Sequence, residues 1–225
     1  MTEDSNRAGW LQQARSYLRE ADPVLARLID DRPAFDPRAW MAQLPPMDLY
    51  GALLFQVTGQ QLSVAATRWT LARIQALFDG RLPTPTELLA ADPGKLREAG
   101  LSWRKINTLR DHAARLSDGR LDPDVLGALP DDELIAELAV IPGIGPWTVQ
   151  GALILALRRE DVVLPGDLAL RKAVQAAYRL DHLPTPEEVL AIAKKWRPYR
   201  SLATSYLFSA AFEQAEAPPV VPSET

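Results

Sequence analysis

Apolar side chains recur at steps of three and four residues along almost the whole chain of 225 residues. This spacing places them on one face of an amphipathic α-helix. In the segment 63–78 that face consists of Val64, Thr67, Leu71, Ile74 and then Leu77 or Phe78. The same periodicity occurs in the segments 8–29, 47–59, 103–117, 131–140, 147–157, 168–179, 186–196 and 200–213. Only the run at 162–165 has the extended character of a short strand, so the sequence predicts an all-α fold.

Signals for helix starts and stops agree with this periodicity. The sequences TPTE at 84–87 and TPEE at 185–188 are capping boxes, with a threonine N-cap, a proline in the first turn and a glutamate three residues after the cap. Helix ends are predicted where a glycine follows Asp79, Ala99 and Asp118. These signals delimit helices of ordinary length for a globular protein.

No flexible linker divides the chain, since no run rich in glycine and serine or in charge interrupts it. The stretches 79–85 and 121–123 are interpreted as boundaries within one fold. Residues 1–215 are therefore expected to form a single all-helical domain, with 1–46 packed as helices on the same body. The segment 216–225 has adjacent prolines and no periodicity, and is expected to be a loose tail.

Composition excludes several kinds of site. Cysteine is absent, which excludes disulfides, zinc ribbons, iron–sulfur clusters and thiol catalysis. The two histidines, His112 and His182, have no metal-binding or catalytic motif around them. No window approaches the run of about 18 apolar residues that a membrane span requires, and the acidic, polar start of the sequence is unlike a secretory signal. We therefore expect a cytoplasmic protein that does not bind membranes.

The segment 137–173 contains a glycine-rich hairpin between two helices, within a helix–hairpin–helix region at about 131–157. Its sequence is IPGIG, followed by Pro146 as the first residue of the second helix. Gly143 and Gly145 allow a tight turn that tucks Ile144 inward and leaves backbone N–H groups of the second helix pointing outward. Together with the helix dipole, these groups form a site for one anion, such as a phosphate. The alternative is an ordinary turn between packed helices, because Gly-x-Gly is a weak signal.

Asp167 is a candidate catalytic residue further along the same segment. It follows Pro165 and Gly166 and opens the amphipathic run 168–178, so its local interpretation is a helix N-cap. The catalytic alternative requires a carboxylate that is held near a helix start and faces a sugar carbon. In that position the carboxylate would stabilise a developing oxocarbenium ion and orient a water molecule.

These residues resemble a known family. VIPGIGPWT at 140–148, followed by VVLPGDLALRKA at 162–173, resembles the helix–hairpin–helix and Gly/Pro…Asp signature of base-excision DNA glycosylases. The branch that it resembles is the AlkA-type DNA-3-methyladenine glycosylases II. Three further stretches match that branch: GQQLSVAA at 59–66, ADPGKLREAGLSWRKINTL at 91–109 and KKWRPYRSLATSYLF at 194–208. The resemblance covers roughly 47–213 and implies two helical lobes with a cleft between them.

The resemblance assigns roles to particular residues. Asp167 occupies the position of the general-base aspartate. Trp147 stands where bifunctional relatives have a Schiff-base lysine, which implies a monofunctional enzyme without lyase activity. Trp147 and Phe208 match aromatic residues of the base pocket, although core packing is the alternative for both. At Gly151 the best-known members have an aromatic residue, so its absence implies a roomier pocket.

The resemblance also implies residues that insert into DNA and residues that hold a cation. The loop before the segment 63–78 matches the wedge loop, with Gln61 as the preferred plug and Leu62 as the apolar alternative. The glutamines of this loop could instead simply finish one helix and cap the next. A monovalent cation at the hairpin would be held by the backbone carbonyls of Ala139, Ile141 and Ile144. No cofactor is otherwise required.

Contacts to the DNA backbone are expected from the hairpin and from one basic turn. The formal net charge of −4 gives no overall attraction to nucleic acid, so binding requires a local surface. Arg104 and Lys105 form the basic turn. The other basic groups, at 158–159, 171–172 and 194–195 with 197 and 200, are interpreted as solvated helix faces. The expected DNA-binding residues are Gly143, Ile144, Gly145, Pro146, Thr148, Arg104 and Lys105.

Three hypotheses about function follow from the sequence. The first is a monomeric, monofunctional DNA glycosylase that hydrolyses the N-glycosidic bond of alkylated purines flipped out of duplex DNA and leaves an abasic site. The second is a noncatalytic helix–hairpin–helix module that binds double-stranded DNA or RNA. The third is a helical interaction protein without a nucleic-acid role. The ordered motifs favour the first hypothesis but do not rank 3-methyladenine, 7-methylguanine, 1-methyladenine, ethenoadenine and hypoxanthine as substrates.

Overall fold

A computed structural model of the protein describes residues 3–36, 44 and 47–216. Its helices, in chain order, are α1 (Glu3–Ala21), α2 (Pro23–Asp30), α3 (Leu49–Gly59), α4 (Val64–Ala76), α5 (Pro85–Ala90), α6 (Pro93–Glu98), α7 (Trp103–Ser117), α8 (Pro123–Ala128), α9 (Asp131–Ala139), α10 (Pro146–Leu155), α11 (Leu168–Tyr178), α12 (Pro186–Ala193) and α13 (Arg200–Glu216). A short 3-10 helix, Lys194–Trp196, joins α12 to α13. Within these described ranges there is no strand, and 162–165 is an irregular segment. The prediction of an all-α fold is confirmed.

Both predicted capping boxes are present. At the start of α5, the Thr84 hydroxyl accepts the Glu87 amide, and the Glu87 carboxylate accepts the Thr84 amide at 2.8 Å. Thr185 and Glu188 make the same pair of bonds at the start of α12, with the amide of Thr185 2.7 Å from the carboxylate. The predicted helix starts are therefore fixed by local hydrogen bonds, because a capping box satisfies two amides that the first turn leaves without partners.

Three Asp-Pro pairs begin helices that the periodicity did not resolve. Asp22, Asp92 and Asp122 each accept an amide of the following first turn, and each precedes a proline at the first helical position. The segment 8–29, expected as one periodic unit, is therefore two helices that break at Asp22. The stretch 121–123, interpreted as a boundary loop, contains the start of α8.

The chain divides into two compact units. Unit 1 combines Met1–Leu44 with Arg159–Thr225, and unit 2 is Pro45–Arg158. The loop-like stretches 79–85 and 121–123 lie inside unit 2, so neither separates the units. The chain thus passes from unit 1 into unit 2 after α2, forms α3 to α10 there, and returns to unit 1 before α11.

Unit 1 is built around a buried carboxylate. Asp22 is fully buried and accepts hydrogen bonds from the Trp196 indole at 2.8 Å and from the Tyr178 hydroxyl, while the Lys195 ammonium lies 3.2 Å away. Burial raises its pKa, but these hydrogen bonds outweigh that effect and hold the pKa below its ordinary value. The apolar core around it includes Leu18, Leu25, Ile29, Leu170, Val174, Val189 and Tyr206.

Unit 2 has α3 and α10 at its centre, and these two helices pack against each other. The α3 sequence LYGALLFQVTG is apolar around most of its circumference, because α4, α7, α8 and α10 all pack on it. Fully buried residues of this core include Leu53, Leu54, Val57, Leu101, Leu138, Ile141, Val149 and Leu153.

The predicted tail reaches beyond the described part of the chain. Glu216 still belongs to α13, and 217–225 lie outside the described residues. Of the predicted N-terminal helical segment 1–46, residues 1–2, 37–43 and 45–46 also lie outside them. None of the described helices has the length and apolarity that crossing a membrane demands.

Candidate functional site

The predicted hairpin joins α9 to α10 in unit 2. Ile141 and Ile144 are 0% and 3% exposed, and the Ile144 amide donates to the Ile141 carbonyl at 3.0 Å. Pro146 is the first residue of α10, as predicted. The tight turn with an inward Ile144 is therefore confirmed. No side chain caps the start of α10, whose N-cap is Gly145.

The two hairpin glycines differ in what surrounds them. Gly143 has φ of +93°, and a Cβ at this position would lie 2.2 Å from Oγ1 of Thr108. Thr108 is itself fixed, because its hydroxyl donates to the Pro142 carbonyl at 2.7 Å. Gly145 has φ of −111°, and a Cβ at this position would meet no atom within 4 Å. The fold thus requires glycine at 143, whereas open space lies where a side chain at 145 would begin.

The loop between α3 and α4 is attached to the hairpin. Nε2 of Gln60 donates to the Gly143 carbonyl and to the Thr148 hydroxyl, both at 2.9 Å. Gln61 is exposed with φ of +59°, and Leu62 is 40% exposed. Gln60 is also the C-cap of α3, so the alternative role of ending a helix applies to it. The two wedge candidates, by contrast, are presented to solvent.

Lys105 holds this loop from the other side. Its ammonium donates to the carbonyls of Thr58 and Gln60 at 2.8 and 2.7 Å, at the carboxyl end of α3. Burial lowers the pKa of the ammonium. A cation at the end of a helix stabilises the carbonyls that have no intrahelical partner. The hydrogen bonds of Lys105 are therefore directed into the protein rather than toward an external phosphate, which the sequence did not predict.

Arg104, in contrast, is exposed. It lines a surface depression of about 540 Å³ between α7 and the hairpin. The other residues of that depression are Asn107, Thr108, Asp111, Pro142 and Gly143. Of the two predicted basic contacts, Arg104 is the one whose guanidinium lies beside the hairpin surface and remains accessible.

The start of α10 carries the predicted pocket residues of unit 2. Trp147 is half-buried, Thr148 is buried, and Gly151 follows one helical turn after Trp147. A Cβ at residue 151 would lie 2.3 Å from Nε2 of Gln56, a residue of α3. The space that a side chain at 151 would take is thus occupied by the Gln56 carboxamide, and the expectation of a roomier pocket stays a prediction.

Asp167 and Phe208 belong to unit 1. Oδ1 of Asp167 accepts the Leu170 amide at 2.8 Å, so Asp167 is the N-cap of α11 as the local pattern predicts. Its side chain is half-buried, and the adjacent Leu168 is 53% exposed. Phe208 is half-buried on α13. The cap fixes the carboxylate at a helix start that solvent reaches.

Metal-ligating side chains do not cluster in the part of the chain that the structure describes, where there is no group of three histidine, aspartate or glutamate residues suited to a metal ion. The predicted cation ligands are backbone carbonyls of the hairpin region. Of these, the Ile141 carbonyl already accepts the Ile144 amide.

The contacts of Gln56, Gln60 and Lys105 were missed by the sequence reasoning. Gln56 lies in the last turn of α3, and Gln60 is the C-cap of that helix. The neighbouring sequence does not indicate the contacts of these glutamines, because their partners at 143, 148 and 151 are far away along the chain. Together these contacts attach the loop at 60–62 to the helix–hairpin–helix of unit 2.

Comparisons with known proteins give the family. The sequence model of the HhH-GPD superfamily base excision DNA repair proteins matches residues 56–198. DNA-3-methyladenine glycosylase 1 of Schizosaccharomyces pombe is 32% identical over 200 residues, which cover 88% of this chain and 86% of that protein. DNA-3-methyladenine glycosylase 2 of Escherichia coli is 28% identical over 161 residues, covering 68% of this chain and 54% of the relative. The chain belongs to the HhH-GPD superfamily.

A solved structure agrees with this assignment. The 3-methyladenine DNA glycosylase of Schizosaccharomyces pombe, in complex with abasic DNA, superposes with a TM-score of 0.81 at 30% identity. The match covers 89% of this chain and 97% of that chain. The predicted helix–hairpin–helix glycosylase fold is confirmed.

Proposed function

We propose that this protein is a monofunctional DNA glycosylase of base excision repair. It would hydrolyse the N-glycosidic bond of alkylated purines, such as 3-methyladenine, flipped out of duplex DNA. The observation that carries the proposal is the family match over 56–198, which contains both the hairpin and Asp167. Relatives that are named as 3-methyladenine glycosylases support the substrate class.

The chemistry suits the side chains available. Alkylation at N3 or N7 gives a purine a positive charge and weakens its bond to the sugar, so the leaving group needs no strong acid. The Asp167 carboxylate, positioned by its cap to α11, would stabilise the oxocarbenium ion and orient water. The aromatic faces of Trp147 and Phe208 would each favour a cationic base by about 0.5–2 kcal/mol.

The absence of lyase activity is part of the proposal. Lyase activity in bifunctional relatives proceeds through a Schiff base between a lysine and the sugar, and Trp147 stands at that position. An indole nitrogen carries no basic lone pair and cannot form this adduct. Water is then the nucleophile, and the product is an intact abasic site.

DNA would be anchored by the start of α10. Its backbone amides and its dipole attract a phosphate without requiring a basic protein, which suits a formal net charge of −4. The open space at Gly145 supports a close approach of the DNA backbone. Arg104 would contact a neighbouring phosphate, and affinity would therefore fall as salt rises.

The loop at 60–62 would fill the gap left by the flipped nucleotide. Flipping carries a cost of a few kcal/mol, which an inserted side chain helps to offset. Gln61 is the preferred plug, since its amide can pair with the orphaned base, and Leu62 is the apolar alternative. Lys105 would act as a positioning residue, because its ammonium holds the carbonyls from which this loop departs.

The backbone carbonyls of Ala139, Ile141 and Ile144 suit a monovalent cation only in part. Backbone carbonyls are the hard oxygen ligands that such an ion prefers. The Ile141 carbonyl retains one lone pair beside its hydrogen bond to Ile144, and Ala139 and Ile144 would supply the other carbonyls. When bound, the ion would add positive charge near the phosphate site.

We also propose that the protein is a monomer and that it acts in the cytoplasm.

A strand-cleavage assay tests the proposal. Purified protein is incubated with duplex DNA carrying 7-methylguanine, and half of each sample is then treated with alkali. Breaks should appear only after alkali and should exceed those in an alkali-treated sample without protein, because 7-methylguanine is itself alkali-labile. Borohydride should trap no covalent complex. Breaks without alkali would refute the assignment of a monofunctional enzyme, and no breaks in either half would refute the glycosylase assignment.

A further inference from the structure

Gln56 lies against the one position of α10 that lacks a side chain. Three atoms of its carboxamide lie close to the place where a Cβ of residue 151 would stand: Nε2 at 2.3 Å, Cδ at 2.4 Å and Oε1 at 2.8 Å. The amide thus occupies the place of a side chain at 151. No side chain could be added at 151 unless Gln56 moved, so the two residues form a matched pair.

The carboxamide of Gln56 makes no hydrogen bond with any residue that the structure describes. Gln60, the C-cap of α3, uses its Nε2 for hydrogen bonds to the Gly143 carbonyl and the Thr148 hydroxyl. A carboxamide offers two donors and an acceptor, and a half-buried amide without protein partners has its hydrogen-bonding capacity available for a ligand.

The position of this amide relates it to the proposed base pocket. Gly151 follows Trp147 by four residues, so the two lie on the same face of α10. Trp147 is half-buried, as is Gln56. The Gln56 amide therefore lies beside the face of α10 that carries Trp147. An aromatic side chain at 151 would present an apolar surface there, whereas the amide presents hydrogen-bonding groups.

We infer that Gln56 is a specificity-determining residue that hydrogen-bonds the edge of the flipped base, in the space that Gly151 leaves for it. The inference rests on the proposed glycosylase function. Its consequence is a substrate range that includes uncharged lesions with a donor and an acceptor on one edge. Hypoxanthine is such a base, since its 6-oxo group accepts and its N1–H donates; 7-methylguanine has the same two groups but also carries a positive charge.

Charged and neutral lesions should depend on Gln56 to different degrees. A cationic base such as 7-methylguanine is selected by its charge and is already activated for departure. A neutral base lacks this advantage, so hydrogen bonds that orient it matter more to its excision. A site built to hydrogen-bond a ligand discriminates strongly against loss of those bonds.

Single-turnover excision from duplexes carrying hypoxanthine or 7-methylguanine tests the inference. Gln56→Met keeps the length of the side chain and removes the amide. It should lower the hypoxanthine rate at saturating protein by about tenfold or more, and the 7-methylguanine rate by less than about threefold. The melting temperature and the protein concentration at half-maximal rate, measured in parallel, separate the loss of base recognition from unfolding and from weaker DNA binding.

Gly151→Ala provides a second route, because its methyl group must displace the Gln56 amide. It should likewise lower the hypoxanthine rate more than the 7-methylguanine rate. The double variant should excise hypoxanthine no more slowly than either single variant. Gly9→Ala, an exposed position of α1 where an added Cβ meets no atom within 4 Å, is the control and should leave both rates and their ratio unchanged.

The outcomes distinguish the inference from the function on which it rests. Equal losses on both bases, or no loss on hypoxanthine, would overturn the role of Gln56. Wild-type protein that excises 7-methylguanine but not hypoxanthine would also overturn it and leave the glycosylase proposal standing. Wild-type protein that excises neither base would overturn both.

Discussion

Substitution of one hairpin glycine should destabilise the protein far more than substitution of the other. Gly143→Ala places a side chain at φ of +93°, at a cost of about 1–2 kcal/mol. The new Cβ lies 2.2 Å from Oγ1 of Thr108, which must move and give up its 2.7 Å bond to the Pro142 carbonyl. Loss of that bond adds about 0.5–1.5 kcal/mol, for a total of roughly 1.5–3.5 kcal/mol.

Thermal unfolding followed by circular dichroism measures the effect. For a chain of this size a loss of about 1.5–3.5 kcal/mol lowers the melting temperature by roughly 3–14 °C. Gly145→Ala is the matched control, because its Cβ meets no atom within 4 Å and its φ is allowed for alanine, so its melting temperature should stay close to the wild-type value. Adding Thr108→Ala to Gly143→Ala should recover the part of the loss that is due to the clash. Equal shifts for the two glycine variants would refute the argument that only position 143 is constrained from within.

Three further predictions concern the hairpin surface, the wedge loop and the core of unit 1. Gly145→Glu should weaken binding to undamaged duplex DNA by at least about tenfold at an unchanged melting temperature, because the carboxylate would face a phosphate. Unchanged affinity in a fluorescence-anisotropy titration would contradict this. Lys105→Met should weaken base flipping by about tenfold, as reported by 2-aminopurine fluorescence next to the lesion, because the carbonyls of Thr58 and Gln60, where the loop at 60–62 begins, lose their hydrogen bonds to the ammonium. Flipping at the wild-type level would show that Lys105 does not position the loop. Asp22→Asn should destabilise the protein by about 3 kcal/mol, because the carboxylate stabilises unit 1 through hydrogen bonds in its buried site. Since the folded pKa of Asp22 lies below the ordinary value, its stabilisation is complete above that value and is lost as the pH falls through the folded pKa. The difference in melting temperature between wild type and Asp22→Asn should therefore narrow in acid. A difference that does not change with pH would contradict the claim that the ionised carboxylate stabilises unit 1.

The parts of the fold that the sequence could predict are those fixed by local interactions. The capping boxes at Thr84 and Thr185 and the proline that opens α10 depend on residues within one turn. The periodicity likewise located most of the long helices. It missed the break at Asp22, because the buried residues Leu18, Leu25 and Ile29 keep helical spacing across it.

The parts that could not be predicted depend on contacts between distant residues. Nothing near Lys105 indicates that its ammonium reaches the end of α3, and nothing near Gly151 indicates that Gln56 covers it. The difference between Gly143 and Gly145 is also invisible in the sequence, since only Gly143 faces Thr108. The functional roles of Asp167 and the pocket residues stay predictions that rest on the resemblance.

The central claim is that the Asp167 carboxylate, and not merely its cap to α11, drives excision. Asn also caps helices well, so Asp167→Asn should keep the bond to the Leu170 amide and with it the fold. We predict that the single-turnover rate of 7-methylguanine release falls by at least about 100-fold, while affinity for the same duplex stays within about twofold of wild type. A variant that releases the base at close to the wild-type rate would contradict the account.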